Sequence, residues 1–258
     1  MSNKKLIVGN WKMNLTVHES SLYVHKLGQK LTKHRNIEMV LAPSMLAVQS
    51  LSLQVERKMF KLAAQNLYWK DEGAFTGEVS ANQLRGLVSY AIIGHSERRH
   101  LFGEHDKDVR NKVQAAVRNG ITPILCVGET AHERAAKETS GVLHDQIVGG
   151  LANLTAEEVA DIVVAYEPVW AIGTGDNALP SEVEHAAHII RRQVEHLFGR
   201  EVAHALRVLY GGSVTSQNAT GYLTAMGIDG LLIGGASLKA DEFKQIVDAA
   251  DASTKRHA

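Results

Sequence analysis

The chain has 258 residues, of which 45% are hydrophobic and 22% charged, ordinary values for a water-soluble globular protein. Lys plus Arg equals Asp plus Glu at 28 each, so no overall field steers nucleic acid or an anionic membrane, and any anion site must be local. The single cysteine, Cys126, excludes an internal disulfide and points to a reducing, cytoplasmic compartment. The polar start, Met1 to Lys5, has no signal-peptide stretch, and no apolar run approaches the length of a membrane span.

Short apolar runs at 6–9, 39–42, 60–64, 90–93, 121–127, 162–166, 208–210 and 230–233 read as eight strands. They are near-continuously apolar, as expected of parallel strands covered on both faces. Helical periodicity lies between them. Val24, Leu27 and Leu31 share one face. Val109, Val113, Ala116 and Val117 form another, closed by Gly120. Ser181 and Glu184 have capping-box spacing and open a helix carrying Ile190, Val194 and Leu197, ended by Gly199. The last residues, from about 252, are polar and expected to fray. Eight strand–helix units without a linker predict one domain over 1–258, a closed (β/α)8 barrel of eight parallel strands ringed by helices. The alternative is an open doubly wound sheet, but no GxGxxG follows the first strand.

The active site of such a barrel lies at the C-terminal strand ends. Asn10 and Lys12 follow the first run, His95, Ser96 and Glu97 the fourth, and Glu167 the sixth. Gly211-Gly212-Ser213 follows the seventh and Gly234-Gly235-Ala236 the eighth. Glycine turns after strands seven and eight suit phosphate, because backbone N–H groups can approach it closely; the plainer alternative is that they only turn the chain. His95 opens a helix, where a positive imidazole is disfavoured, so it should act as a neutral donor. Glu167 is followed by Pro168-Val169-Trp170-Ala171-Ile172-Gly173-Thr174-Gly175, a rigid start, an apolar middle and a glycine-bearing end. That pattern predicts a lid that closes over a ligand and excludes water; the alternative is a loop packed permanently on the surface.

These stretches resemble the triosephosphate isomerase family over nearly the whole chain: 9–14, 64–66, 73–78, 93–99, 126–130, 165–175, 210–214 and 234–238. The resemblance implies a TIM barrel that interconverts dihydroxyacetone phosphate and D-glyceraldehyde 3-phosphate, in glycolysis and gluconeogenesis, with no metal or organic cofactor. By resemblance, Glu167 is the base and neutral His95 the electrophile and proton shuttle. Lys12 supplies positive charge, Asn10 a nearby donor and Glu97 support. Gly173, Ser213, Gly234 and Gly235 hold the phosphate. Phe75, Thr76 and Gly77 match the loop with which the family's dimers reach the partner's site, so a homodimer is implied.

Three positions depart from the family pattern. Leu15 stands where a small residue, often glycine, is usual, Asp176 where lysine is usual after the lid, and Ala81-Asn82 in a more apolar stretch. Rival chemistries are weaker. Cys126 lies inside a strand run and reads as structural. His185 and His188 are spaced for a helix face without a metal motif. Arg98 and Arg99 read as a salt-bridge network with Glu97 and Glu104. Glu97 with Glu167 could form a glycosidase pair, but the phosphate turns, Lys12 and a 5% aromatic content argue against sugar platforms. A silent phosphate-binding barrel is opposed by the intact Lys12, His95 and Glu167.

Overall fold

A computed structural model describes residues 4–172 and 176–255. Strand β1 (Lys5–Asn10) leads to helix α1 (Val17–Lys30), β2 (Ile37–Ala42) to α2 (Met45–Gln54), and β3 (Phe60–Ala64) through an exposed connection to α3 (Ala81–Leu84). Strand β4 (Tyr90–Ile93) leads to α4 (Ser96–Leu101) and α5 (Asp106–Arg118), and β5 (Thr122–Val127) to α6 (Ala131–Ala135), α7 (Thr139–Leu151) and α8 (Ala156–Ala160). Strand β6 (Val163–Tyr166) precedes α9 (Pro180–Phe198) and α10 (Arg200–Ala205), β7 (Arg207–Tyr210) precedes α11 (Ala219–Leu223), and β8 (Gly230–Ile233) precedes α12 (Ala240–Lys255). Each strand pairs in parallel with its chain neighbours, and β8 pairs with β1. The eight strands thus close into the expected (β/α)8 barrel.

Alternation along the strands divides the core in two. One set, including Val8, Ala165, Leu209 and Leu232, fills the barrel interior. The other, including Ile7, Val164, Val208 and Leu231, packs outward against the helices. Two residues beyond the interior set stand Asn10, Glu167, Gly211 and Gly234. The period of the strand therefore aims these four at the barrel's C-terminal mouth.

The local signals hold with two corrections. Val24, Leu27 and Leu31 are buried, as are Val109, Val113 and Ala116, and Gly120 turns at φ +70° after α5. Helix α9, however, is capped at Leu179, not Ser181: Pro180 takes its first turn, and the Glu182 carboxylate accepts the Leu179 N–H at 2.8 Å. Proline already has the helical φ and lacks the N–H that a first turn leaves unpaired, so it overrides the Ser181–Glu184 spacing. In the same helix Ile190 and Val194 are buried while Leu197 is exposed; Phe198 packs on the core in its place. The second correction concerns the C-terminus. Helix α12 continues to Lys255, with Ser253 buried and Lys255 paired to Asp251 at 2.7 Å. Of the expected frayed tail, residues 256–258 lie outside the described residues.

The family departures fall on definable features. Leu15 adopts φ +66°, the left-handed region that favours glycine. Ala81-Asn82 forms the first turn of α3, capped reciprocally by Ser80 and Gln83. Asp176 is exposed, immediately after the undescribed 173–175.

Candidate active site

A cleft of about 630 Å³ opens at the C-terminal mouth and is lined by Asn10, Lys12, His95, Glu97, Glu167, Ser213, Gly234 and Gly235. The residues read from the strand ends thus converge on one cavity. Val169 and Ile172 line it too; Gly173, Thr174 and Gly175, expected in the lid and in Gly173's case at the phosphate, lie outside the described residues.

Glu167 is only 2% exposed. Its Oε2 accepts the Ser96 backbone N–H at 2.9 Å. Its Oε1 stands 3.1 Å from His95 Nε2, outside hydrogen-bonding geometry, and is a buried acceptor without a hydrogen bond. Such an atom is costly to bury; Trp11 Nε1, Ser20 Oγ, Glu104 Oε1 and the Tyr210 hydroxyl share that condition, and what sets Glu167 apart is that it lines the cleft. Gly211 makes the room: a Cβ there would lie 2.9 Å from Glu167 Cγ.

His95 caps α4, its Nδ1 accepting the Glu97 N–H at 3.2 Å. That bond assigns the proton of the neutral ring to Nε2, the nitrogen facing Glu167. A neutral ring held this way carries its donor on the side of Glu167.

Lys12 has φ +52°, an uncommon conformation for a side-chain-bearing residue. Three groups hold it. Asn10 Oδ1 accepts its N–H at 3.1 Å, its carbonyl accepts from Gln65 Nε2 at 2.9 Å, and its Nζ pairs with Glu97 Oε1 at 2.5 Å. A Cβ on Gly234 would lie 3.9 Å from Lys12 Nζ, so the ammonium reaches from Glu97 towards the β8 turn. Beside Gly235 the space is open.

The apolar segment after Glu167 rests on Glu129. Trp170 Nε1 donates to Glu129 Oε1 at 2.9 Å, Tyr166 O–H donates to the same carboxylate at 3.1 Å, and Val169 N–H donates to the Glu129 carbonyl at 3.0 Å. Burial, then the Glu129 charge, pushes the Tyr166 hydroxyl pKa up. The Arg134 guanidinium covers the Trp170 ring at 3.8 Å and pairs with Glu182.

Some expectations need correcting and some residues were missed. Arg98 pairs with Glu104 at 2.7 Å as expected, but Arg99 pairs with Asp106 at 2.6 Å, and Glu97 belongs to Lys12 instead. Cys126 is buried inside the barrel, and burial, then the Glu167 charge, pushes its thiol pKa well up, as suits a structural residue. His185 and His188 are exposed; among the described residues no cluster of three His, Cys, Asp or Glu gathers as metal ligands. Gln65 directly follows β3 and Glu129 stands two residues past β5, so the strand-end rule applied to those two strands adds both to the functional residues.

A family model described as triosephosphate isomerase matches residues 5–250. A protein named triosephosphate isomerase from Trichlorobacter lovleyi is 45% identical over 243 residues, 94% of this chain and 97% of its own length. One of that name from Clostridium acetobutylicum is 46% identical over 244 residues, 94% of this chain and 98% of its own. Another from Lactococcus lactis subsp. cremoris is 43% identical over 249 residues, 96% of this chain and 99% of its own. With matches of this extent, and this barrel, the chain belongs to the triosephosphate isomerase family, a family of isomerases.

Proposed function

We propose that the chain interconverts dihydroxyacetone phosphate and D-glyceraldehyde 3-phosphate through an enediolate. The observation that carries this reading is the pairing of Glu167 with His95: a buried carboxylate in the cleft whose Oε1 stands 3.1 Å from the imidazole Nε2, while His95 Nδ1 accepts the Glu97 N–H. A carbon acid next to a carbonyl needs a base and, at once, a donor for the oxygen that gains charge. Glu167 takes the proton, and His95 Nε2–H polarises the carbonyl and moves protons between the two oxygens. Lys12 and Asn10 add charge and a donor, and Glu97 holds Lys12. Donors of this sort each contribute on the order of 3 kcal/mol. Ser213, Gly234, Gly235 and Gly173 grip the phosphate, and residues 168–175 close as a lid, excluding water from the intermediate. No cofactor enters this scheme.

The whole chain acts as one domain in this reading, in the cytoplasm and in glycolysis and gluconeogenesis. Among the described residues no helix is long and apolar enough to cross a membrane. The working form is a homodimer. Residues 70–78 are exposed and carry Phe75, Thr76 and Gly77. A second hollow of about 350 Å³, lined by Met13, Met45, Gln65 and Phe102, shares Asn10, Lys12, His95 and Glu97 with the main cleft. Met13 is 97% and Phe102 70% exposed, apolar surface that a partner's loop would cover. Sedimentation velocity at micromolar concentration should give a dimer; a stable monomer retaining full activity would remove this part of the proposal.

The test of the reaction is solvent-deuterium incorporation into dihydroxyacetone phosphate. Wild-type protein should exchange the proton next to the carbonyl, and Glu167→Gln should reduce exchange by about 10³-fold or more. Pure, folded wild-type protein that exchanges nothing would sink the proposal.

A further inference from the structure

Arg99 lies behind the turn between β4 and α4, with its side chain only 11% exposed. Its Nε donates to the Gly94 carbonyl at 2.8 Å, Nη2 to the Cys126 carbonyl at 3.3 Å, and Nη1 to Asp106 Oδ1 at 2.6 Å. One planar fork therefore ties the residue before His95 to the end of β5 and the start of α5. Gly94 completes the fit. It turns at φ +70°, and a Cβ there would stand 2.9 Å from Arg99 Nη2 and 3.0 Å from Val109 Cγ2. Glycine thus supplies both the left-handed turn and the room for the guanidinium.

The residues after Gly94 each present a group to Glu167. His95 Nε2 stands 3.1 Å from Oε1, and Ser96 N–H donates to Oε2 at 2.9 Å. A rotation of the Gly94–His95 peptide would displace both. We infer that Arg99 is a positioning residue for proton transfer: by anchoring the Gly94 and Cys126 carbonyls it aims the imidazole and the Ser96 N–H at the two oxygens of Glu167. The inference rests on the reading of His95 and Glu167 as reacting partners. The bland alternative is an ion pair with Asp106 that merely braces α5. A lysine could replace that pair, but it has no fork to hold two carbonyls and a carboxylate together.

The test uses the full-length protein with Arg99→Lys, Arg99→Gln and Asp106→Asn. It reads steady-state kinetics on dihydroxyacetone phosphate and the ¹⁵N signals of the histidine rings, with His95 assigned by His95→Gln. Arg99→Lys should lower kcat about 10- to 100-fold, the cost of a small misplacement of reacting groups, while KM stays within about threefold because the phosphate turns are untouched. The His95 ring should pass from the single Nε2–H tautomer to a mixture. Arg99→Gln, which loses the charge and the three-nitrogen fork and keeps only one amide nitrogen, should behave the same way and decides the matter if the lysine variant does not fold. Asp106→Asn leaves both carbonyl anchors and should keep kcat within about threefold. A folded Arg99 variant with the wild-type His95 pattern and kcat within about twofold would overturn the inference. So would an Asp106→Asn loss as large as that of Arg99→Lys. An inactive wild type would defeat the proposed reaction, whereas the His95 signals of the variants would still decide this inference.

Discussion

Both mouths of the barrel carry charged side chains, and they use them in opposite ways. At the N-terminal mouth, Glu38 accepts the Tyr90 hydroxyl at 2.8 Å and Arg207 Nη1 at 2.9 Å, and it pairs with Lys61. Arg207 Nη2 closes the ring by donating to the Tyr90 oxygen at 2.9 Å. None of these atoms is among the buried groups lacking a partner. At the C-terminal mouth Glu167 Oε1 has no hydrogen bond among the described residues, Lys12 sits in a left-handed backbone, and a cleft stands open. A satisfied network rigidifies, whereas an unsatisfied, strained one stores capacity for a ligand. In the proposed reaction the barrel thus places stability at one end and chemistry at the other.

The largest effect should come from breaking the C-terminal end without unfolding it. In the proposed reaction Lys12 aims its cation at the developing oxyanion, so Lys12→Met should lower kcat/KM on the order of 10³-fold. Its pair with Glu97 is 30% and 40% exposed, so the variant's stability should change by less than about 1 kcal/mol. Steady-state kinetics and a urea melt on the same preparation check both halves. A melt that collapses along with activity would contradict the division of labour.

The reciprocal experiment is Glu38→Gln, which leaves Arg207 and Lys61 without their counter-charge at a largely buried position. It should cost about 3 kcal/mol of stability and leave kcat/KM within about twofold. The pH dependence sharpens the point. Burial raises the Glu38 pKa, but the bonds from Lys61 and Tyr90 and the Arg207 charge together outweigh it, and the net shift is downward. A carboxylate with a folded pKa below its unfolded value, ordinarily about 4.3, adds stability that is complete above the unfolded value. That stability is lost as pH falls through the folded one. Wild type and Glu38→Gln should therefore differ most at neutral pH and converge as pH falls progressively below the ordinary carboxylate value. A constant difference across that window would show that lost packing, rather than charge, sets the cost.

The same contrast explains what could be read beforehand. Strands covered on both faces are apolar nearly throughout, so their runs and the polar residues just past them mark the barrel and its rim. Hence Lys12, His95, Glu167 and the two glycine turns were legible. Partnerships were not, because they join residues far apart in the chain. Gln65 bonds the carbonyls of Lys12 and Ala42 across separations of 53 and 23 residues, and nothing local in Gln65-Asn66 says so. Arg98 and Arg99 look equivalent in sequence. Their backbone positions send one to Glu104 and the other behind the His95 turn. At α9 a local signal misled because two local rules competed, and proline's fixed φ prevailed over serine's spacing.

The smallest effect tests whether left-handed backbone is costly where no function holds it. Lys12 and Lys137 both have positive φ, at 52° and 62°. Lys12 is gripped by Asn10, Gln65 and Glu97 at the cleft. Lys137 is exposed, one residue past the C-cap of α6, with its N–H donated to the Arg134 carbonyl at 3.0 Å. That is the position where glycine most often ends a helix. Lys137→Gly removes about 1–2 kcal/mol of left-handed strain but gives back about 0.5–1 kcal/mol through the freer unfolded chain. The net gain should be about 0.5–1 kcal/mol, or roughly 2 °C in Tm for a chain of this size, with kcat/KM unchanged. A lower Tm would mean that the Lys137 side chain contributes more than its backbone costs. A higher Tm with unchanged turnover would show that a left-handed lysine is dispensable on the surface, leaving the strain at Lys12 to be explained by the ammonium it places over the cleft.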